Sequence, residues 1–173
     1  DDIIIDVRNR NEVMVGRFDG AVDPRTKSFG DFPRFVEEEA ESLKNKRVLL
    51  YCTGGVRCEK ASAFVRRVVP QVKEVRHLQG GIHKYIDLYG NSDACLFRGK
   101  NFVFDGRSAV SSSSGRHVFT VGQCCACKQP WDTLDGSALC EVCREPVLGC
   151  GKCCGEQDLP QQQIRQRFFL PRP

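Results

Sequence analysis

The sequence predicts an α/β fold, a parallel sheet with helices on both faces, followed by a small cysteine-rich module. Two observations predict it. Short β-branched runs alternate with helical stretches up to about residue 90, and such alternation buries strands on both faces. Beyond residue 123 the apolar periodicity almost vanishes, while all of the 11 cysteines except Cys52, Cys58 and Cys95 fall there.

Ile3, Ile4, Ile5 and Val7 form the first buried strand. Gly16, Gly20, Pro24 and Gly30 then read as turn residues. Asp31 can cap a helix with Pro33 in its first turn, and Val36, Ala40 and Leu43 fall on one face beside acidic Glu37, Glu38, Glu39 and Glu41. Asn45 ends that helix, and Arg47 to Tyr51 make a second strand. Ala61, Phe64, Val65 and Val68 repeat at helical spacing until Pro70. EVRHL at 74 to 78 is a third strand, and Ile82 to Tyr89 a short helix between Gly81 and Gly90. The polar SSSSG at 111 to 115 marks a boundary. The organisation expected is a domain over 1 to 110, a linker over 111 to 120, the cysteine-rich module over 121 to 155 and a tail over 156 to 173.

A chain of 173 residues holds one ordinary core and an appendage. No apolar run approaches the roughly 20 residues that span a bilayer, so no membrane partner is expected. A formal charge of +4 is too small to establish nucleic-acid binding and is compatible with an anionic substrate. The opening DDIIIDVRN runs directly into strand residues and reads as the start of a fragment. An odd cysteine count arranged in C-x-x-C pairs suits metal binding in an intracellular, cytoplasmic setting, with the nucleus left open.

The chemistry concentrates in YCTGGVRC, residues 51 to 58. Binding sites of open parallel sheets form at the carboxyl ends of strands, which is where Cys52 falls. Thr53, Gly54 and Gly55 let the backbone curl so that the amides of the loop, which runs through Val56, converge on one point with those of the helix starting near Cys58. Such a nest holds anions and favours thiolate over thiol. With the charge of Arg57 added, Cys52 should be an ionised nucleophile reachable from water.

The loop C-T-G-G-V-R resembles the active-site loop of rhodanese sulfurtransferases. Asp6-Val-Arg8 with Glu12 and Gly16-Arg17-Phe18-Asp19-Gly20-Ala21 resembles that family's D-x-R…E-x-x-x-G-h-x-G-A motif, and Leu78-Gln79-Gly80-Gly81 its L-x-G-G segment. YCTGGVRCEKASA, QGGIHKYIDLYG, FRGKNFVFDGR and GQCCAC are similar to the rhodanese-like branch that includes bacterial tRNA uridine hydroxylases. The resemblance implies a rhodanese-like fold and a persulfide mechanism. Cys52 would take sulfur from a small anionic donor such as thiosulfate and pass it to a thiol acceptor, with Arg57 attracting the donor and the loop from Thr53 to Cys58 binding the anion. The narrower resemblance implies a second activity, hydroxylation of a tRNA wobble uridine, with tRNA as partner. A non-catalytic adaptor using the cysteine-rich module is a third reading. Arg17 and Tyr85 stand where many rhodaneses carry histidine and tryptophan, which leaves the donor open. Cys58 reads either as a resolving thiol or as a small inward residue.

Cys124-x-x-Cys127, Cys140-x-x-Cys143 and Cys150-x-x-Cys153 are three pairs, any two of which supply the four thiolates of a structural zinc site. Cys124/Cys127 combine with Cys140/Cys143 in one partition and with Cys150/Cys153 in another, and Cys125 and Cys154 leave room for a second ion. Structural zinc is expected because a segment this poor in apolar residues needs a staple to fold. The basic residues Arg57, Lys60, Arg66, Arg67, Lys73 and Arg76 read as a solvated helix face in preference to an RNA footprint, since no aromatic platform is interleaved with them.

Overall fold

A computed structural model describes residues 2–102, 109–111, 120–134, 138–140 and 144–154. Cys143, positions 112–119 of the expected linker and the expected tail lie outside the described residues.

In chain order the elements are β1 (Asp2–Asp6), α1 (Arg10–Val15), β2 (Gly16–Phe18), a 3-10 turn (Phe29–Asp31), α2 (Phe32–Glu38), α3 (Ala40–Leu43), β3 (Arg47–Tyr51), α4 (Val56–Val68), β4 (Glu74–His77), α5 (Gly81–Tyr89), β5 (Phe97–Phe102), β6 (Ala109–Ser111) and α6 (Gly151–Cys154). The parallel sheet runs β1-β3-β4, with Ile5 opposite Leu50 and Val48 opposite Val75. This is the α/β architecture that the alternating runs predict. Period-two alternation sends Ile5, Val48 and Leu50 to one face, where Phe32, Val36, Leu43, Ala61 and Val65 from the helices cover them. Ile4 and Tyr51 point to the other face and pack with Phe18, Ile82, Tyr85 and Phe97. Phe18 meets Tyr51, Tyr85 and Phe97 edge-on at centroid distances of 4.8, 4.9 and 5.3 Å.

Two features depart from expectation. The sequence reading leaves out a second, antiparallel sheet, β2-β5-β6. Gly16, read there as a turn residue, is a strand residue paired with Gly99, and a Cβ on either would collide with the opposing backbone. Glycine here serves close strand approach, which sequence alone does not separate from a turn. The helix expected from Asp31 to Leu43 is divided at Glu39 (φ −95°, ψ 7°). Ser42 Oγ donates to the Glu39 carbonyl at 2.8 Å, a back-bond of the kind that bends helices. Asn45, with φ 59°, takes the left-handed conformation expected of a helix terminator.

The cysteine-rich region rests on α1 and β5. Lys100 Nζ pairs with Asp132 at 3.0 Å, Asn11 Nδ2 donates to Glu145 at 3.4 Å, and Gly122 lies against the Met14 carbonyl and Leu148. No helix among the described residues is long and apolar enough to cross a membrane.

Candidate active site and cysteine cluster

Strand β3 ends at Tyr51 and helix α4 begins at Val56, so Cys52 to Gly55 form the whole turn between them. Gly55, at φ 96°, makes that turn tight enough to aim its own N–H back at the Cys52 sulfur, 3.1 Å away. The Cys52 thiol is lowered from an ordinary value of 9.0 to about 5. A hydrogen bond with the Cys58 thiol is the largest cause; burial opposes it, and the Cys58 and Gly55 amides and the Arg57 charge add to the lowering. Cys58, fully buried in the first turn of α4, is pushed up by the same bond and by burial, so it remains the S–H donor to the Cys52 thiolate. The Gly55 amide faces the sulfur, and the Cys52 thiol is lowered. The expected access from water is not seen: Cys52 is only 1 % exposed, its side chain facing the α4 side of the sheet with Leu50 and Ala61. Gly54 and Val56 are the exposed residues of the loop.

Two supports hold the turn. From below, Ile82 and His83 N–H groups donate to the carbonyls of Cys52 and Thr53 at 3.0 and 3.1 Å. Gly81, at φ 64°, permits this approach: a Cβ there would stand 2.5 Å from both carbonyls. From the side, Arg57 forks onto Glu12 with two 2.7 Å hydrogen bonds and donates to Thr53 Oγ1 at 3.0 Å, while Thr53 Oγ1 donates to Glu12 at 2.9 Å. The guanidinium therefore engages a carboxylate and the loop hydroxyl at once, and holds the loop to α1. Burial raises the Glu12 carboxyl, but the Arg57 hydrogen bonds and charge outweigh it and leave Glu12 below the usual carboxylate range. Sequence reasoning gave Glu12 no role, although its place in the quoted D-x-R…E motif was the available signal.

Behind this layer, Arg8 donates to Asp6 at 2.9 and 2.7 Å and to the Gly16 carbonyl at 2.6 Å. Both side chains are buried. The pair ties the end of β1 to β2 and so fixes α1, which carries Glu12.

A hollow of about 330 Å³ on the opposite sheet face is lined by Ile4, Leu49, Leu78, Tyr85 and Leu96. It includes no residue of the 52–58 loop and does not bear on that chemistry. Tyr85 belongs to this apolar face, where its hydroxyl accepts the Leu96 N–H at 2.9 Å. Three of the six basic residues are engaged locally: Arg76 pairs with Glu74, Arg66 donates to the Val75 carbonyl, and Arg67 lies over the Phe64 ring at 5.0 Å.

Of the six paired cysteines proposed as ligands, Cys124, Cys127, Cys150 and Cys153 come together, with ligand atoms all within 4.8 Å of one another. Thiolates about 2.3 Å from a central ion stand roughly 3.8 Å apart, and Cys127 and Cys150 Sγ are separated by 3.7 Å. The Cys150 N–H points at Cys124 Sγ at 3.4 Å. Burial opposes ionisation of Cys124, but amides of Cys127 and Cys150 outweigh it and bring the thiol to about 6. The donor set fits a thiophilic metal ion. Cys140, in the other partition, is buried outside this group.

A rhodanese-like domain model matches residues 1–88, and a rhodanese C-terminal model matches 98–159. The chain belongs to the rhodanese-like family. It is 35% identical to rhodanese-like domain-containing protein 6 of Arabidopsis thaliana over 91% of the chain and 27% of that relative. It is 38% and 40% identical to proteins named tRNA uridine(34) hydroxylase from Brucella anthropi and Acaryochloris marina, over 94% of the chain and 50% of each. The chain thus spans half or less of the length of these relatives.

Proposed function

We propose that this rhodanese-like chain is a cysteine-dependent enzyme that moves sulfane sulfur through a persulfide on Cys52. What carries the reading is the sulfur itself, ionised near pH 5 and held by the Gly55 and Cys58 amides and the Cys58 thiol. The Cys52 thiolate attacks the outer sulfur of thiosulfate; a new S–S bond forms, the sulfur–sulfonate bond breaks, and sulfite leaves with the electron pair. An acceptor thiolate then takes the outer sulfur and returns Cys52 as thiolate. The amides that stabilise the resting thiolate serve the persulfide anion in the same way. Arg57 keeps the loop in register through Thr53 and Glu12, and adds charge at its rim. Since Cys52 is 1 % exposed, the donor reaches it only when the loop carrying the exposed Gly54 and Val56 moves aside.

The relatives named tRNA uridine(34) hydroxylase favour a second reading, that the same loop serves modification of a tRNA wobble uridine. Incubation with thiosulfate followed by intact mass separates the two. One added sulfur, absent in Cys52→Ser and retained in Cys58→Ser, supports sulfur transfer. No gain from any donor, together with salt-sensitive tRNA binding, transfers support to RNA modification. In either case Cys124, Cys127, Cys150 and Cys153 hold a structural zinc ion that braces the module against α1 and β5.

A further inference from the structure

Thiosulfate is a dianion, and the cation of the Cys52 loop is already engaged. Arg57 gives hydrogen bonds to both Glu12 oxygens and to Thr53 Oγ1, and the Glu12 side chain beneath it is buried. The carboxylate balances the guanidinium, so a donor at the outer edge of the loop meets little net charge from this pair.

Helix α5 supplies another cation. Its first turn is built against the loop: Ile82 and His83 N–H groups donate to the Cys52 and Thr53 carbonyls, and a Cβ on Gly55 would stand 3.5 Å from the Gly80 nitrogen. Lys84 follows Gly81 by three residues and Gly80 by four, so it lies on the stripe of the helix that these glycines turn to the loop. Its stem runs back toward the start of the helix. A Cβ built on Gly80 would lie 2.8 Å from both Cβ and Cδ of Lys84 and 3.4 Å from its Cγ, so only a glycine leaves that path open. Lys84 is exposed, and no hydrogen bond or ion pair among the described residues engages its ammonium. The stem therefore directs an unbalanced positive charge past the N-terminal end of α5, beside the loop whose exposed residues are Gly54 and Val56.

We infer that Lys84 is a donor-binding residue, which holds the sulfonate end of thiosulfate while the outer sulfur goes to Cys52. The inference rests on the sulfur-transfer reading and names the group that selects a doubly charged donor. Lys84 makes and breaks no bond: the thiolate takes the outer sulfur, the sulfur–sulfonate bond breaks, and sulfite leaves with the electron pair. Because the sulfonate end is charged before and after that step, the ammonium favours bound donor and transition state about equally. Its effect falls on donor affinity and leaves the maximal rate unchanged.

The test is the rate of persulfide formation on Cys52 in the full chain, read by intact mass after rapid mixing with rising concentrations of thiosulfate. Lys84→Met should raise the half-saturating concentration about tenfold at an unchanged maximal rate, and Lys84→Arg should restore most of the affinity. Methanethiosulfonate offers the same outer sulfur with a single negative charge, so with it Lys84→Met should lose only about threefold. Added salt should narrow the gap between Lys84→Met and wild type. Lys73, exposed just before β4 at the far end of the sheet, and Lys60, exposed on α4, serve as controls. Lys73→Met and Lys60→Met should each stay within about twofold of wild type. An unchanged half-saturation in Lys84→Met, a loss confined to its maximal rate, or equal losses in all the lysine variants overturns the role of Lys84 and leaves sulfur transfer standing. A wild type that takes sulfur from neither donor overturns the sulfur-transfer reading and the role of Lys84 with it.

Discussion

Replacing Cys58 with alanine removes the largest contributor to the ionisation of Cys52, the thiol that hydrogen-bonds its sulfur. A hydrogen bond to a charged group contributes about 1.5–3 kcal/mol, and about 1.4 kcal/mol corresponds to one pKa unit. The Cys52 thiol should therefore rise from about 5 to roughly 6–7 in Cys58→Ala, the Gly55 and Cys58 amides and Arg57 still holding it below an ordinary thiol. Cys58→Ser restores a donor of similar reach and should stay nearer the wild type. The assay is the rate of iodoacetamide labelling of Cys52 against pH, read by peptide mass. Because the thiolate is the reactive form, the rate rises with pH through the Cys52 value and is flat above it. Burial slows labelling at every pH without moving the inflection. An inflection that stays in place in Cys58→Ala, or a wild-type inflection near 8.5–9, would refute the hydrogen-bonded pair.

Gly81→Ala should cost about 3 kcal/mol and disable Cys52 labelling, because its Cβ meets the Cys52 and Thr53 carbonyls at a left-handed φ. Gly54→Ala, with nothing within 4 Å, should stay within about 0.5 kcal/mol; equal urea midpoints for the two variants would contradict this. Glu12→Gln should lose about 2 kcal/mol at pH 7, since it leaves the partly buried Arg57 without its carboxylate. The folded Glu12 carboxyl lies below its unfolded value, so its contribution is complete above about pH 4.3 and is lost as pH falls through the folded value. The gap between wild type and Glu12→Gln should accordingly narrow on acidification; a gap that widens would assign the loss to something other than the carboxylate.

The parallel sheet was legible because burial on both faces leaves β-branched runs such as Ile3 to Val7 and Arg47 to Tyr51, which few other environments select. The antiparallel β2-β5-β6 sheet was not: β2 has 3 residues, and its Gly16 signals a turn and a close strand crossing equally well. In the site, Cys52 and its amide nest followed from two glycines between a strand and a helix. Glu12 did not, because its value depends on α1 lying beside the loop, a tertiary placement that local pattern leaves open. The choice of Cys150/Cys153 over Cys140/Cys143 as partners of Cys124/Cys127 is of the same kind, since both partitions satisfy the spacing.

The most direct test of a sulfur-carrying Cys52 is intact mass after brief exposure to thiosulfate and removal of the donor. One added sulfur that maps to Cys52 and leaves on addition of a small thiol is the predicted result. A wild-type mass that never changes, or a sulfur that remains in Cys52→Ser, would contradict it.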